Sequence, residues 1–431
     1  MSLEPGAAAS LLRSPSLSEL GSGGTFAGWA AAVVLGLVGA LVPGAECETQ
    51  NLSFAERPNL GDTLTFNVTV ATRDPAAQTV SFDCRAGDQR GRQVLVGTVT
   101  MRTPSDAEVA QVAHRAGPSR PEIAVHGHRG YQELLDRCAG TPPLSTAVVW
   151  PLDHSALTAA VEAAGAGLIT PILVGAAAGI QRAADAADID ISKWPIVDAA
   201  TDDAAASAGA RLVREGTAGV LMKGSLHTNT MLRAVLSHEG GLRESPWISH
   251  VFVFDVPTYP KPLLLSDAVV AIAPTLEQKA VICRHAIKVA HALGIARPKV
   301  AILSAIEDVD PAIPSTIDAA ALCKMADRGQ ITGAVLDGPL AMDNAISMAS
   351  AATKGIVSAV AGDADILIVP NLEAGNILYK NLTYLAEAEV AGVIVGASVP
   401  IILASRADSV RTRIASAALA SILAGYRPSE L

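Results

Sequence analysis

The chain has 431 residues, 50% apolar, 3% aromatic and 17% charged, with alanine as the main filler, so it can bury a large helix-rich core spread over two or three domains. Its formal net charge of −10 argues against general binding to nucleic acid or to anionic membrane, since both partners are polyanions. The five cysteines (Cys47, Cys84, Cys138, Cys283, Cys323) are odd in number, widely spaced and without a C-x-x-C pair, which suits free thiols in a reducing cytosol better than a disulfide framework or a zinc site.

Residues 1–22 are rich in Ser, Ala, Gly and Pro and are expected to be disordered. The uncharged stretch 24–42 has the length of a membrane span or a signal segment. It is built from Ala and Gly rather than Leu and Ile, and no basic residue stands close on either side, so a buried helix is the better reading. Asn59-Leu60-Gly61-Asp62 is a turn signal, and 63–70 alternates like a half-buried strand. Two more strands are expected over 79–85 and 93–101, with a polar turn around 87–91. The polar, Pro-bounded stretch 104–121 reads as a linker. His114 and the His126-Gly127-His128-Arg129 cluster lie near it. With no third ligand close by, they read as surface histidines, and no metal is expected.

Beyond the linker, short apolar runs alternate with helical stretches. A strand over 146–151, a helix over 155–164 and a strand over 172–175 open the series. Further strands are expected over 219–222, 251–254, 268–273, 300–303, 334–336, 366–369 and 392–396, with a hairpin between Phe254 and Ala268. This alternation predicts an α/β fold with mainly parallel sheets, in which ligands sit beyond the carboxyl ends of strands. Near the C-terminus, 399–404 reads as a buried strand and the run after Asp408 recurs at helical spacing. Ser405-Arg406-Ala407-Asp408-Ser409 therefore lies where a strand becomes a helix. A helix N-terminus favours an anion, an Arg beside it can hold phosphate with two hydrogen bonds, and an Asp in the same turn is a candidate base. The alternative is an ordinary N-cap made by Ser405 or Asp408.

Four motifs occur in order: Lys223-Gly224-Ser225-Leu226-His227-Thr228 followed by Arg233, Asp337-Gly338-Pro339-Leu340-Ala341-Met342-Asp343, Pro370-Asn371-Leu372-Glu373-Ala374-Gly375-Asn376-Ile377-Leu378-Tyr379-Lys380, and Ser405-Arg406-Ala407-Asp408-Ser409. Together they resemble the phosphate acetyltransferase/phosphate butyryltransferase family over residues 125–431. The resemblance implies reversible acyl transfer between coenzyme A and inorganic phosphate, with CoA, acyl-CoA, phosphate and acyl phosphate as partners and no permanently bound cofactor. It also implies a cytoplasmic homodimer and a two-lobed, mainly parallel α/β domain with an interlobe cleft. Lobe one would be about 125–270 plus 398–431, and lobe two about 271–397.

The site residues follow from the same resemblance. Asp408 would be the base that takes the CoA thiol proton, Arg406 would bind the phosphoryl group, and Ser405 would hydrogen-bond the developing negative charge. Thr228, Arg233, Lys223, His227, Asn376 and Lys380 would bind substrate or CoA, a polyanion that needs a local basic patch in this acidic chain. Glu373 and Asp343 would position these groups or react. Asn229, Trp150 and Asn371 stand where the family often has Asp, His and Asp. The Lys-Gly-x-Leu-His-Thr form and the short Ser-Arg-Ala-Asp-Ser motif lean toward the butyryl branch.

The helix and strands of 23–104 resemble the later part of a MaoC-like hot-dog dehydratase domain, a partial α+β hot-dog preceding the transferase as in bifunctional enoyl-CoA hydratase/phosphate acetyltransferases, with 105–124 as linker. Family hydratases use an Asp and a His upstream of the helix; residues 1–22 hold neither and the first histidine is His114. Hydratase activity is therefore expected to be absent, and the region is read as truncated or degenerate. Two rival readings are a non-catalytic CoA-binding scaffold and a metal-dependent dehydrogenase on a similar two-lobed fold. Against the second, Gly165-Ala166-Gly167 lacks the third glycine of a dinucleotide fingerprint and precedes a strand instead of following one.

Overall fold

The computed structural model describes residues 8–13, 25–42, 44–56, 58, 62–74, 76–88, 90–103, 130–237, 241–403 and 408–427. The chain forms two compact units, Met1–Gly127 and His128–Leu431. The linker 105–124, His114, His126, His128 and turn residues 59–61 lie outside the described residues.

In the first unit a five-stranded antiparallel sheet packs on one helix. The strands are β1 (Ala8–Arg13), β2 (Glu46–Phe54), β3 (Leu64–Asp74), β4 (Thr79–Asp88) and β5 (Gln93–Arg102), in the order β1-β3-β4-β5-β2. Strict alternation points Leu64, Phe66, Val68 and Val70 of β3 and Val80, Phe82, Cys84 and Ala86 of β4 into the core. The helix α1 (Thr25–Leu41) faces them with Phe26, Ala30, Val34 and Val38, four residues apart and all buried. An apolar helix wrapped by an antiparallel sheet is the partial hot-dog arrangement expected from 23–104. No helix among the described residues is long and apolar enough to cross a membrane.

Two strands correct the sequence reading. Residues 1–22 are not wholly without structure, since Ala8–Arg13 pairs with β3. Strand β2, ECETQNLSF, has almost every side chain exposed. An edge strand with one neighbour and a polar, solvent-facing surface leaves no alternation to read.

The second unit holds an eleven-stranded sheet. Its strands are β6 (Leu144–Val149), β7 (Ile169–Gly175), β8 (Ile196–Asp198), β9 (Val220–Lys223), β10 (Ser249–Asp255), β11 (Leu263–Ser266), β12 (Lys299–Leu303), β13 (Val335–Leu340), β14 (Ile366–Ile368), β15 (Glu389–Val395) and β16 (Ile401–Ile402). Their order is β13-β12-β14-β11-β10-β15-β16-β9-β6-β7-β8. Two parallel sets, β16-β9-β6-β7-β8 and β13-β12-β14-β11, flank an antiparallel centre made by β10 and β15. The mixed α/β class with a mainly parallel sheet is the one expected.

The helices are α2 (Gly130–Cys138), α3 (His154–Gly165), α4 (Ala177–Ala187), α5 (Asp202–Arg214), α6 (Thr228–Leu236), α7 (Leu276–Ala292), α8 (Pro314–Asp327), α9 (Met342–Ile346), α10 (Met348–Thr353), α11 (Leu372–Tyr384) and α12 (Val410–Gly425). Several begin at side-chain caps: Asp153, Thr201 and Asn371 each accept a first-turn N–H, and Thr275 and Gln278 form a reciprocal capping box.

Strand pairing also moves one boundary. The expected strand over 268–273 is a series of bends; the hairpin partner of β10 is β11, at 263–266. Strand β10 pairs on its other side with β15, and β11 with β14. Both 263–266 and 268–273 are apolar in sequence, but the ladder takes 263–266, and of 268–273 only Ala268 is buried.

Candidate active site

A cavity of about 390 Å³ opens on the second unit's sheet where two strands stop. Ile401 and Ile402 of β16 pair with Leu221 and Met222 of β9, and both strands end within a residue of that pairing. Strands β10 and β15 run on beside them, with Phe252 opposite Gly392. The gap beyond the carboxyl ends of β9 and β16 is therefore floored by β10 and rimmed by the loops that leave the shorter strands.

The first loop is held tightly. Gly224 N donates to Val149 O at 2.8 Å and Ser225 N to Trp150 O at 2.8 Å, continuing the ladder past β6. A Cβ on Gly224 would stand 2.6 Å from the Trp150 carbonyl oxygen, so only glycine fits there. This places Lys223, Leu226, His227 and Thr228 on the cavity wall. Lys223 is 5% exposed, and its Nζ donates to Gly224 O and Leu226 O at 3.1 and 3.2 Å. His227 is the N-cap of α6 without a side-chain cap bond, and Thr228 is its first residue, so first-turn N–H groups face this side.

The second wall is α11. Asn371 Oδ1 accepts from Ala374 N at 2.9 Å and starts the helix. Asn caps as well as Asp does, so a residue that departs from the family pattern keeps a structural role. One face of α11 then presents Asn376, Tyr379 and Lys380 to the cavity. Asn376 Nδ2 donates to Ala268 O at 3.4 Å, and Lys380 Nζ lies 4.8 Å from the centroid of the Tyr379 ring.

Asp408 completes the set from the segment before α12. The helix N-cap is Ser409, whose Oγ accepts from Thr412 N at 3.1 Å, so Asp408 is not the cap. Burial pushes the Tyr379 phenol up, and the Asp408 carboxylate adds to the shift both by its charge and by accepting the phenol's hydrogen bond. Ser405 and Arg406 lie outside the described residues.

The structure thus gathers Lys223, His227, Thr228, Asn376, Lys380 and Asp408. Arg233 is not among the residues that line the cavity; it stands in the last turn of α6, largely exposed, and pairs with Asp203 at 3.4 Å. Asp343 is also elsewhere, accepting from Ser350 Oγ at 2.6 Å and standing 3.6 Å from Lys354 Nζ. Sequence reasoning missed His250, Phe252 and Tyr379, which line the cavity from β10 and α11. Tyr379 was visible within its motif. His250 and Phe252 look like ordinary members of a buried strand.

A second cavity of about 430 Å³ is lined by Tyr131, Leu134, Phe254, Leu293 and Ile295 and is largely apolar. Its Arg411 is tied to Glu389 at 2.6 Å and stacks on Tyr131, so its charge is engaged locally. Convergent polar groups, not size, mark the first cavity as the site. Among the described residues no group of three or more His, Cys, Asp or Glu could hold a metal ion.

Comparison with known proteins agrees with this geometry. Residues 202–421 match the family model described as phosphate acetyl/butaryl transferase. The chain is 52% identical over 297 residues to a phosphate acetyltransferase of Rhizobium meliloti, covering 69% of this chain and 94% of the relative. It is 43% identical over 296 residues to a phosphate butyryltransferase of Clostridium beijerinckii, covering 69% and 98%. A branched-chain phosphotransacylase from Enterococcus faecalis superposes with a TM-score of 0.59 at 31% identity, covering 66% of this chain and all of that one. A phosphotransacetylase from Streptococcus pyogenes, 21% identical, shares the fold with a TM-score of 0.59 over 68% of this chain and 98% of that one. With residues of three of its four motifs lining one cavity, the chain belongs to the phosphate acetyl/butyryl transferase family, enzymes of reversible acyl transfer between coenzyme A and phosphate.

Proposed function

We propose that this chain transfers an acetyl or butyryl group directly between CoA and phosphate in a ternary complex, with Asp408 as the base. The observation that carries this reading is the convergence of Asp408 with Lys223, Thr228, Asn376 and Lys380 on one cavity from three separate segments. In the direction of acyl-CoA formation, Asp408 takes the thiol proton, the sulfur attacks the acyl carbonyl carbon, and the bond from that carbon to the phosphate oxygen breaks with its electron pair leaving on phosphate. In reverse, a phosphate oxygen attacks the thioester carbonyl carbon, the C–S bond breaks with its electron pair leaving on sulfur, and Asp408 returns the proton to that sulfur. A thiol of ordinary pKa near 8.5 is mostly protonated at neutral pH, so a base in contact raises the thiolate fraction.

Lys223, Lys380 and the first turn of α6 offer positive potential to phosphate and to the CoA phosphates. Arg406 and Ser405 take the phosphoryl-binding and charge-stabilising roles by family resemblance. CoA enters and leaves in each turnover, and the reaction as written needs no resident cofactor. We infer a homodimer, supported by exposed apolar side chains at Ile377 and Tyr384 on α11 and at Leu385 just past its end, and a cytoplasmic location, in keeping with the free cysteines. Light scattering on the purified chain would count the subunits. The first 113 residues contain no histidine, and this supports the absence of hydratase activity. The test of the main reading is phosphate-dependent release of CoA thiol from acetyl-CoA and butyryl-CoA; release that does not need phosphate would overturn it.

A further inference from the structure

His250 is 2% exposed, lines the candidate active-site cavity, and has no hydrogen-bond partner on either ring nitrogen. Buried polar atoms without partners are uncommon in folded proteins, and each lowers stability unless something supplies the missing bond. The chain nevertheless holds this ring firmly. The backbone N–H of His250 donates to Asp267 Oδ2 at 3.2 Å, and its carbonyl accepts from Ser266 Oγ at 2.9 Å. The imidazole stacks on Phe252 with centroids 4.0 Å apart. Across the strand, a Cβ on Gly392 would stand 2.8 Å from His250 Nε2, so glycine at that position is what makes room for the ring.

We propose that His250 is a catalytic residue whose ring N–H donates to the acyl carbonyl oxygen of the bound substrate. This rests on the acyl-transfer reading of the cavity and adds the group that polarises its electrophile. The choice of that oxygen follows from the surroundings. His250 stacks on Phe252, and the same cavity is also lined by Leu226, Val269 and Leu403, apolar side chains suited to an acyl chain, whose one polar atom is the carbonyl oxygen. Phosphate is matched instead by the lysines and the helix N-terminus. Burial lowers the imidazole pKa to about 3, so the ring is neutral and offers one N–H donor without a charge that would compete for phosphate. A neutral donor held at the cavity wall would meet developing negative charge with little reorganisation.

The experiment compares the full-length wild-type chain with His250→Phe and His250→Asn, using butyryl-CoA and acetyl-CoA with phosphate. Wild-type turnover is measured first: its absence overturns the acyl-transfer reading, and with it the premise of this one. Given wild-type activity, His250→Phe should keep or raise the thermal midpoint, because it removes two unpaired nitrogens, while kcat falls about 10²-fold or more and KM for phosphate changes little. His250→Asn restores a donor and should recover part of the loss. A folded His250→Phe enzyme with wild-type kcat would overturn the proposal. As a measurement that needs no variant, ring ¹⁵N chemical shifts of His250 in the wild-type chain should move on binding butyryl-CoA but not S-butyl-CoA, which lacks the carbonyl. Equal shifts with both, or none with either, would also overturn it.

Discussion

Both units bury titratable side chains and pair most of them, but one in the second unit is treated in the opposite way from those in the first. In the first, Asp62 and Asp88 are 4% and 7% exposed, and Arg92 reaches both, with Nη2 3.2 Å from Asp62 Oδ2 and a bond to Asp88 Oδ2 at 2.7 Å. Burial raises the Asp88 pKa, but bonds from the Arg92 backbone and guanidinium and from Arg90 N–H outweigh it and hold the carboxyl below its usual value. In the second unit, His250 is buried without any such partner beside a cavity that also holds Asp408 and Lys223. Internal satisfaction is the mark of a structural polar group. A buried group left unsatisfied at a cavity wall is a candidate for chemistry.

The sharpest way to break this comparison is at Asp408. Asp408→Asn keeps the shape and removes the base, so kcat should fall about 10²-fold or more with little change in CoA binding. The defect should shrink as pH rises toward the thiol pKa. A defect of constant size across that range would show that Asp408 only orients its neighbours. Tyr379→Phe removes the phenol that donates to the Asp408 carboxylate, and kcat should drop about tenfold with KM nearly unchanged. Steady-state kinetics on the folded variant checks this, and an unchanged kcat would make the contact purely structural.

Acid stability separates the units next. His250 and His285 have pKa values lowered by burial from 6.5 to about 3 and about 4. Between those values the unfolded chain binds protons that the native second unit does not. Its stability should therefore fall as pH drops below 6.5, by at most about 1.4 kcal/mol per pH unit for each histidine. Asp88 works in a lower window: its depressed carboxyl stabilises the first unit above the ordinary value of 3.8, and that contribution is lost only as pH falls below it. Calorimetry from pH 7 to pH 4 should show the second unit softening while this carboxylate cluster still holds, and His250→Phe should flatten the slope. The smallest effect on catalysis is expected from Arg92→Met, which removes the guanidinium from Asp62 and Asp88. The first unit should melt a few degrees lower with acyl transfer unchanged, and any loss of turnover would mean that the units are coupled.

Much of this molecule was legible one segment at a time. Alternation marked β3, β4 and β5, and four ordered motifs pointed to the transferase and to six of the residues that line its cavity. The helix caps at Asp153, Thr201, Thr275 and Asn371 are equally local, since a cap is a contact between residues three apart. These features are local, and local chemistry decides them. The tertiary structure decided the rest. It made β2 a strand through pairing with β5 rather than through its own polar residues, chose 263–266 over 268–273 as the partner of β10, and turned Arg233 toward Asp203. It also set His250 against Gly392, 142 positions away in the chain, and Tyr379 against Asp408. Periodicity reports which face of an element is buried, but not which distant element covers it, so a histidine within an apolar strand reads as core until the sheet places a cavity beside it.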